Sequence, residues 1–322
     1  MAKNILVTGI GGNVGQGILR NLRALPYKLE ITGTNTEWIS AGNHLCDRVF
    51  PVPFASEPGY IDTILQICRD RCIDLIIPST DFETYYLSRQ RSVLPAMACA
   101  DHQTNEIFLD KYLTWCEFQK YHIPFALSAL PSQPQKCFNE IIVKPRTGRG
   151  SRDICVNPES LVIFSDDYLV QEYLRGREIT TAFYITRQKD LLGHITFARE
   201  LSHGATVKCE VVFDYDADVT RLIHQMTDAF HIVGPCNIQS IVLEDLAVVP
   251  FEINARISGT NSIRSHFGFN DVKYIVDEYV YDKLPEKPVI KKGCALRMLT
   301  DIIYIDASMD QIKYPDTCWY TF

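Results

Sequence analysis

A chain of 322 residues, 46% hydrophobic and 22% charged, has the composition of an ordinary globular protein with ample material for a core. Its net charge of -7, with no basic block to offset it, speaks against nucleic acid as the main partner, and no apolar stretch is long enough to call for a membrane. Its 11 cysteines form no CxxC pair and read as reduced, buried thiols; with no signal-peptide pattern at the N-terminus, a cytoplasmic location is expected.

Residues 4–8 read as a short buried strand. The run Thr8-Gly9-Ile10-Gly11-Gly12-Asn13-Val14-Gly15 then turns into a helix starting near Gln16. Further strands fit 29–33, 47–52 and 73–78, and a helix fits 60–71, with Ile61, Ile64, Leu65 and Cys68 on one face. Strands alternating with helices imply a parallel sheet covered on both faces, so residues 1–105 are expected to form a Rossmann-like domain.

The character changes after about Asp101. A helix fits 110–121, ended by Pro124, and strands fit 141–144, 153–156 and 168–173, with the loop 145–152 as a hairpin tip. Segments 179–185, 192–199 and 207–213 look antiparallel, a helix fits 220–230, and 236–243 pairs with 247–254. Residues 106–290 thus read as α+β, with no internal repeat, and 291–322 as a tail of unclear role.

Gly9-x-x-Gly12-x-x-Gly15 would suit a dinucleotide site, where glycines let the backbone approach a pyrophosphate. That fingerprint expects an acidic residue closing the second strand, whereas here the strand runs into Gly33-Thr34-Asn35-Thr36 and Glu37 comes late. A nicotinamide-dependent oxidoreductase would also want Tyr-x-x-x-Lys, but Tyr85 and Tyr86 are followed at that spacing by Arg89 and Gln90. The glycines read better as a tight strand-to-helix turn, able to line a small-substrate cleft.

Other segments carry phosphate chemistry. Strand side chains alternate with a period of two, so Glu252, Asn254 and Arg256 would share one face. Two oxygen ligands and a cation there suit a metal–phosphate complex, although a strand edge with a surface ion pair has the same pattern. Lys144 precedes Gly148-Arg149-Gly150-Ser151, which is not a Walker loop but could fold its backbone N–H groups over phosphates. At Gln171-Glu172-Tyr173-Leu174-x-Gly176-x-Glu178 a strand ends and exposes backbone groups of the kind an adenine edge pairs with, and Glu178 could accept from ribose hydroxyls.

In order, the chain shows Lys111, Lys144 with Gly148-x-Gly150, Glu172-Tyr173-Leu174-x-Gly176-x-Glu178, Gln239 and Glu252-x-Asn254-x-Arg256. This series resembles the ATP-grasp superfamily, and within it the synthetase modules of carbamoyl phosphate synthetase large subunits. Asn237-Ile238-Gln239 and Glu252-Ile253-Asn254-Ala255-Arg256 match that family's N-x-Q and E-x-N-P-R, with Ala255 in place of proline, and Ile257-Ser258-Gly259-Thr260 looks like its following loop. The resemblance covers about residues 1–275. It implies an α/β plus α+β architecture: a Rossmann-like pre-ATP-grasp domain, then a two-lobed ATP-grasp domain with a small lid lobe at about 112–174.

The resemblance also implies roles. Lys111 and Lys144 would contact ATP phosphates, and the loop with Gly148, Gly150 and Ser151 would close over them. Glu172 and the backbone at Tyr173 and Leu174 would hold adenine, and Glu178 the ribose. Gln239, Glu252 and Asn254 would hold two magnesium ions (manganese being an alternative), with Arg256 steadying the transferred phosphoryl group. Family members activate a carboxylate as an acyl phosphate for attack by an amine. At the carboxyl end of the 73–78 strand, Asp81 and Glu83 are candidates to accept the amine's proton, although a solvated helix start has the same pattern; His203 and Arg264 are candidates to hold a substrate carboxylate, although His203 beside Gly204 also reads as a plain loop residue. The chain is too short for a complete carbamoyl phosphate synthetase large subunit, so a free-standing carboxylate–amine ligase is expected, with small-molecule substrates and a homodimer as an assembly the reading allows. A phosphotransferase or a nucleotide-binding regulator on the same fold is the alternative.

Overall fold

A computed structural model of the chain describes residues 2–133, 138–148, 153–298, 300–313 and 320–321. Its N-terminal unit runs β1 (Lys3–Val7), α1 (Asn13–Arg23), β2 (Leu29–Asn35), β3 (Arg48–Pro51), α2 (Tyr60–Asp70), β4 (Leu75–Ile77), α3 (Asp81–Ser88) and β5 (Ala96–Met97). The five strands form a parallel sheet in the order β3-β2-β1-β4-β5. Ile5, Leu6 and Val7 of the central strand are fully buried, as expected for a strand covered on both faces.

The strand order reverses between β1 and β4, which opens a crevice at their carboxyl ends. The glycine turn after β1 and the Ser79–Asp81 turn after β4 meet there. Gly9 has φ +60°, and a Cβ on it would lie 2.4 Å from Ser79 Oγ and 3.0 Å from a Glu83 carboxylate oxygen. The glycine therefore serves close approach of two loops. Helix α3 starts with a reciprocal cap: the Thr80 hydroxyl accepts from the Glu83 N–H (3.1 Å) and donates to the Glu83 carboxylate (2.8 Å).

The rest of the chain adds α4 (His102–Leu109), α5 (Lys111–Lys120), β6 (Ser128–Ala129), β7 (Ile141–Pro145), β8 (Cys155–Val156), β9 (Tyr168–Glu172), β10 (Arg177–Ile185), β11 (Leu191–Ser202), β12 (Ala205–Val211), α6 (Asp216–Ala229), β13 (Gly234–Val242), β14 (Val248–Asn254), α7 (Asn261–Arg264), α8 (Asp271–Val280) and β15 (Cys294–Leu296). Strands β6-β9-β7-β8 make a small antiparallel sheet, and β14-β13-β10-β11-β12-β15 a larger one. β15 lies in the segment expected to be a tail, and it extends the large sheet by pairing with β12. Helix α3 begins at Asp81, where the sequence also allows a helix start; α4 and β5 are additions to the expected elements, and α6 begins at Asp216, ahead of the expected 220.

Alternation along the large sheet decides where the chemistry goes. Ile179, Phe183, Ile238 and Ile253 pack into the core under α4, α5 and α6. Residues of opposite parity, such as Ala182, Tyr184 and Phe197, join a core that includes β1 and α1. The two units are therefore fused through shared apolar packing. Polar residues of this second parity, among them Glu178, Arg199, Gln239 and Glu252, come to lie between the two units and the small sheet. Among the described residues no helix is long and apolar enough to cross a membrane, and the described cysteines are free thiols.

Candidate active site

The β13–β14 ladder places Gln239 opposite Glu252 and Asn237 opposite Asn254. Asn254 Nδ2 donates to Glu252 Oε1 (3.2 Å) and Gln239 Nε2 donates to Asn254 Oδ1 (3.2 Å). The period-two expectation holds for Glu252 and Asn254. It fails for Arg256, because β14 ends at Asn254 and the Arg256 N–H turns back to the Asn254 carbonyl (2.8 Å). The Arg256 guanidinium instead reaches the N-terminal unit, donating from Nε (3.1 Å) and Nη2 (2.8 Å) to Asp81 Oδ2.

Two lysines stand over this strip. Lys111 Nζ lies 4.0 Å from Glu252 Oε2 and donates to the Gly148 carbonyl (3.3 Å). Lys144 Nζ donates to the Phe251 carbonyl (3.3 Å) and sits over the Phe251 ring. Burial pushes the Lys144 ammonium down to about 8, helped by the neighbouring Lys111 charge and opposed by Glu252 and Glu178. Burial works against the Glu252 carboxylate too, but Lys111 and Lys144 outweigh it and hold the group below its usual range. Lys111 is positioned by its neighbour: Asp110 caps α5 by accepting from Tyr112 and Leu113 N–H groups, and it also takes three bonds from Arg146 beyond β7.

Between the small and large sheets lies a cavity of about 500 Å³. Lys111, Lys144, Gly148, Gln239 and Glu252 line its polar end. Glu172, Tyr173, Leu174 and Glu178 line it further along, with Ile142, Ile154, Ile241 and Phe251 as apolar walls. The volume and the apolar walls suit a nucleotide base between side chains. Gly150 and Ser151 lie outside the described residues. One oxygen of the Glu172 carboxylate accepts from the Leu127 N–H (2.7 Å), and the Tyr173 N–H donates to the Glu140 carbonyl (2.9 Å), so Leu174 is the next amide along the wall. Gly176 lets the chain pass over β13, since a Cβ there would sit 2.1 Å from the Val242 carbonyl oxygen.

Glu178 is not free. Arg199 donates to its Oε1 from Nε (2.9 Å) and Nη2 (2.7 Å), and Nη2 also donates to Gln239 Oε1 (2.5 Å). No local pattern points to Arg199, because its partners lie 21 and 40 residues away and only strand register brings them together.

A second cavity of about 710 Å³ opens toward the N-terminal unit. Its wall carries Gly9 and Gly12 of the first turn, Asp81, Glu83, His203 and Arg256, and it shares Leu201, Gln239 and Glu252 with the first cavity. Burial pushes the Glu83 carboxyl up against the opposing bonds from Thr80 and Thr8. His203 (φ 49°) and Gly204 (φ 73°) form the tip of the β11–β12 hairpin, where successive positive φ values suit a tight two-residue turn. Arg264 does not reach this cavity. It is 1% exposed, donates to Ser258 Oγ and Thr260 Oγ1 (both 2.8 Å) and pairs with the buried Asp271. The guanidinium is committed to holding the loop after β14, and not to the substrate carboxylate expected of it.

Among the described residues no group of three or more His, Cys, Asp or Glu could hold a metal ion. Magnesium needs no such cage, since it keeps phosphate and water oxygens and takes few protein ligands. Glu252, ionised, and Asn254, whose carbonyl oxygen keeps a second lone pair, fit that role. Gln239 fits it poorly, because its oxygen already accepts from a guanidinium.

A family model for the ATP-grasp domain matches residues 108–260. Residues 108–260 therefore form an ATP-grasp domain. Ahead of its ATP-grasp domain, residues 5–101 match the model for a PylC-like N-terminal domain. Among solved structures, N5-carboxyaminoimidazole synthetase from Staphylococcus aureus, complexed with ADP, superimposes with a TM-score of 0.77 at 11% identity, over 93% of this chain and 83% of that one. The biotin carboxylase domain dimer of the Hydrogenobacter thermophilus 2-oxoglutarate carboxylase, in complex with MgADP, ADP and bicarbonate, gives 0.72 at 13% identity, over 98% and 77%. L-amino acid ligase from Bacillus licheniformis gives 0.69 at 13% identity, over 89% and 75%. At these identities the likeness shows the ATP-grasp fold alone. A comparison with curated proteins finds no match.

Proposed function

We propose that this chain is an ATP-dependent ligase that joins a carboxylate to an amine through an acyl phosphate. The observation that carries the reading is the shared wall: a nucleotide-sized cavity and a second polar cavity meet at Gln239 and Glu252, with Lys111 and Lys144 alongside. The γ-phosphoryl group of a nucleotide in the first cavity would face a substrate in the second. Phosphoryl transfer asks for positioning and charge neutralisation more than for a covalent protein group. Lys111 and Lys144 supply positive charge, and Arg256 supplies more from the substrate side. Magnesium held by Glu252 and Asn254, or manganese in its place, would add charge neutralisation on the phosphates.

In the first step a carboxylate oxygen bonds to the γ-phosphorus and the bond to the bridging oxygen of ADP breaks. In the second the amine nitrogen bonds to the acyl carbon, phosphate leaves with the carboxylate-derived oxygen, and the amine proton passes to an acceptor. Asp81 is the acceptor offered by the second cavity. Glu83, buried and engaged in capping α3, serves the turn around Gly9 instead. The similar solved structures include a ligase of amino acids and a synthetase complexed with ADP, which agrees with this reaction class.

The test is ADP release across a panel of amino acids, other carboxylates and amines, with product mass. A condensed product formed with ADP and phosphate supports the ligase. A phosphorylated product without phosphate release would make the chain a phosphotransferase. Stabilisation by NADH with none by ATP would refute both.

A further inference from the structure

The polar strip is a one-way chain of hydrogen bonds. Arg199 donates to Gln239, Gln239 to Asn254, and Asn254 to Glu252. Every link points toward the carboxylate, so the strip has a cationic end at Arg199 and an anionic end at Glu252. Arg199 is anchored at its own end by two bonds to Glu178, directly across the β10–β11 ladder, and its side chain is only 11% exposed. A guanidinium stays protonated at any working pH and offers donors alone.

We propose that Arg199 takes the place of one of the two divalent cations expected at this site, so that the enzyme binds a single Mg2+, at Glu252 and Asn254. A metal ligated by Gln239 would have to share that amide oxygen with a fixed positive charge 2.5 Å away. Although an amide oxygen has two lone pairs, two cations on the same oxygen would repel each other, whereas the Asn254 oxygen accepts only from a neutral amide. Gln239 is thereby a positioning residue: its oxygen holds Arg199 and its amide holds Asn254. The guanidinium also joins the residue expected at the ribose to the wall facing the phosphates, a span that a metal ion at Gln239 would not cover.

The inference rests on the proposed ligase site only for where the cation lies, and its test does not depend on turnover. Mn2+ is titrated into the protein with saturating ADP and followed by electron paramagnetic resonance, which counts bound ions and detects spin coupling between close pairs. The wild-type chain is expected to bind one Mn2+ per nucleotide, with no coupled pair. Arg199→Gln frees the Gln239 oxygen and is expected to bind two, with a coupled signal. Two coupled ions in the wild-type chain overturn the inference, and that result requires no variant to fold. One ion in Arg199→Gln, folded by circular dichroism, overturns the claim that Arg199 excludes the second. No nucleotide-dependent ion in either protein would overturn the metal site at Glu252 itself, a result distinct from the other two.

Discussion

Gln239 and Glu252 face each other directly across the β13–β14 ladder, and each lines both cavities. A cross-strand pair can therefore serve as the partition between nucleotide and substrate. Glu252 is the charged half. Glu252→Gln keeps the shape and removes the charge, leaving Lys111 and Lys144 without their counter-ion. Turnover is expected to fall by at least ~100-fold, the scale for losing one electrostatic element of a site. Steady-state ADP release checks this, with circular dichroism confirming the fold.

Lys144 sets a pH dependence. Its folded value of about 8 lies below the ~10.4 of an unfolded lysine. Between these values the unfolded chain binds more protons, so the Lys144 contribution to stability rises with pH across that window. Nucleotide binding runs the other way, since phosphates favour the charged ammonium. ADP affinity is expected to weaken above pH ~8 by up to ~tenfold per unit, the limit for one linked proton. Calorimetric titrations across pH check it, and Lys144→Arg is expected to flatten the profile.

The Arg256–Asp81 pair spans the two units and lines the second cavity but not the first. Asp81→Ala removes the proposed proton acceptor and releases the guanidinium that would meet the transferred phosphoryl group. Turnover is expected to drop ~10- to 100-fold, the cost of a small misplacement of a reacting group. The ADP dissociation constant should stay within ~2-fold of wild type, because the mutated residue lies outside the nucleotide cavity. Parallel kinetics and ADP binding separate the two effects.

Arg264 acts in the fold and not at the substrate. Arg264→Ala leaves Asp271 buried without its cation, and breaking a buried pair in this way costs ~3–5 kcal/mol. Urea unfolding is expected to show that loss. A variant of unchanged stability with a raised Michaelis constant for a carboxylate would return Arg264 to the substrate site.

Much of the fold was legible because its signals are local. The βα alternation before Asp101 and the period-two pattern from Val248 to Asn254 each lie within one element. Glu252, Asn254 and the lysines were legible through the ordered motifs of the family. Arg199 was not, since the contact with Glu178 depends on the pairing of Ile179 with Ala198, which no local pattern encodes. Arg256 was placed on the wrong element because strand ends are set by tertiary contacts, here the reach to Asp81. For Arg264 the sequence shows a charge but not its burial beside Asp271. Helix α3 shows only a faint apolar pattern, so the sequence suggests its start at Asp81 and not its length, although the Thr80-x-x-Glu83 cap signature is present.

The central claim is an acyl phosphate formed across the Gln239–Glu252 partition. With the substrate pair that supports ADP release, the carboxylate is labelled with heavy oxygen and the released phosphate is analysed by mass spectrometry. The account predicts one labelled oxygen in the phosphate for each amide formed. Amide formation with unlabelled phosphate would contradict it.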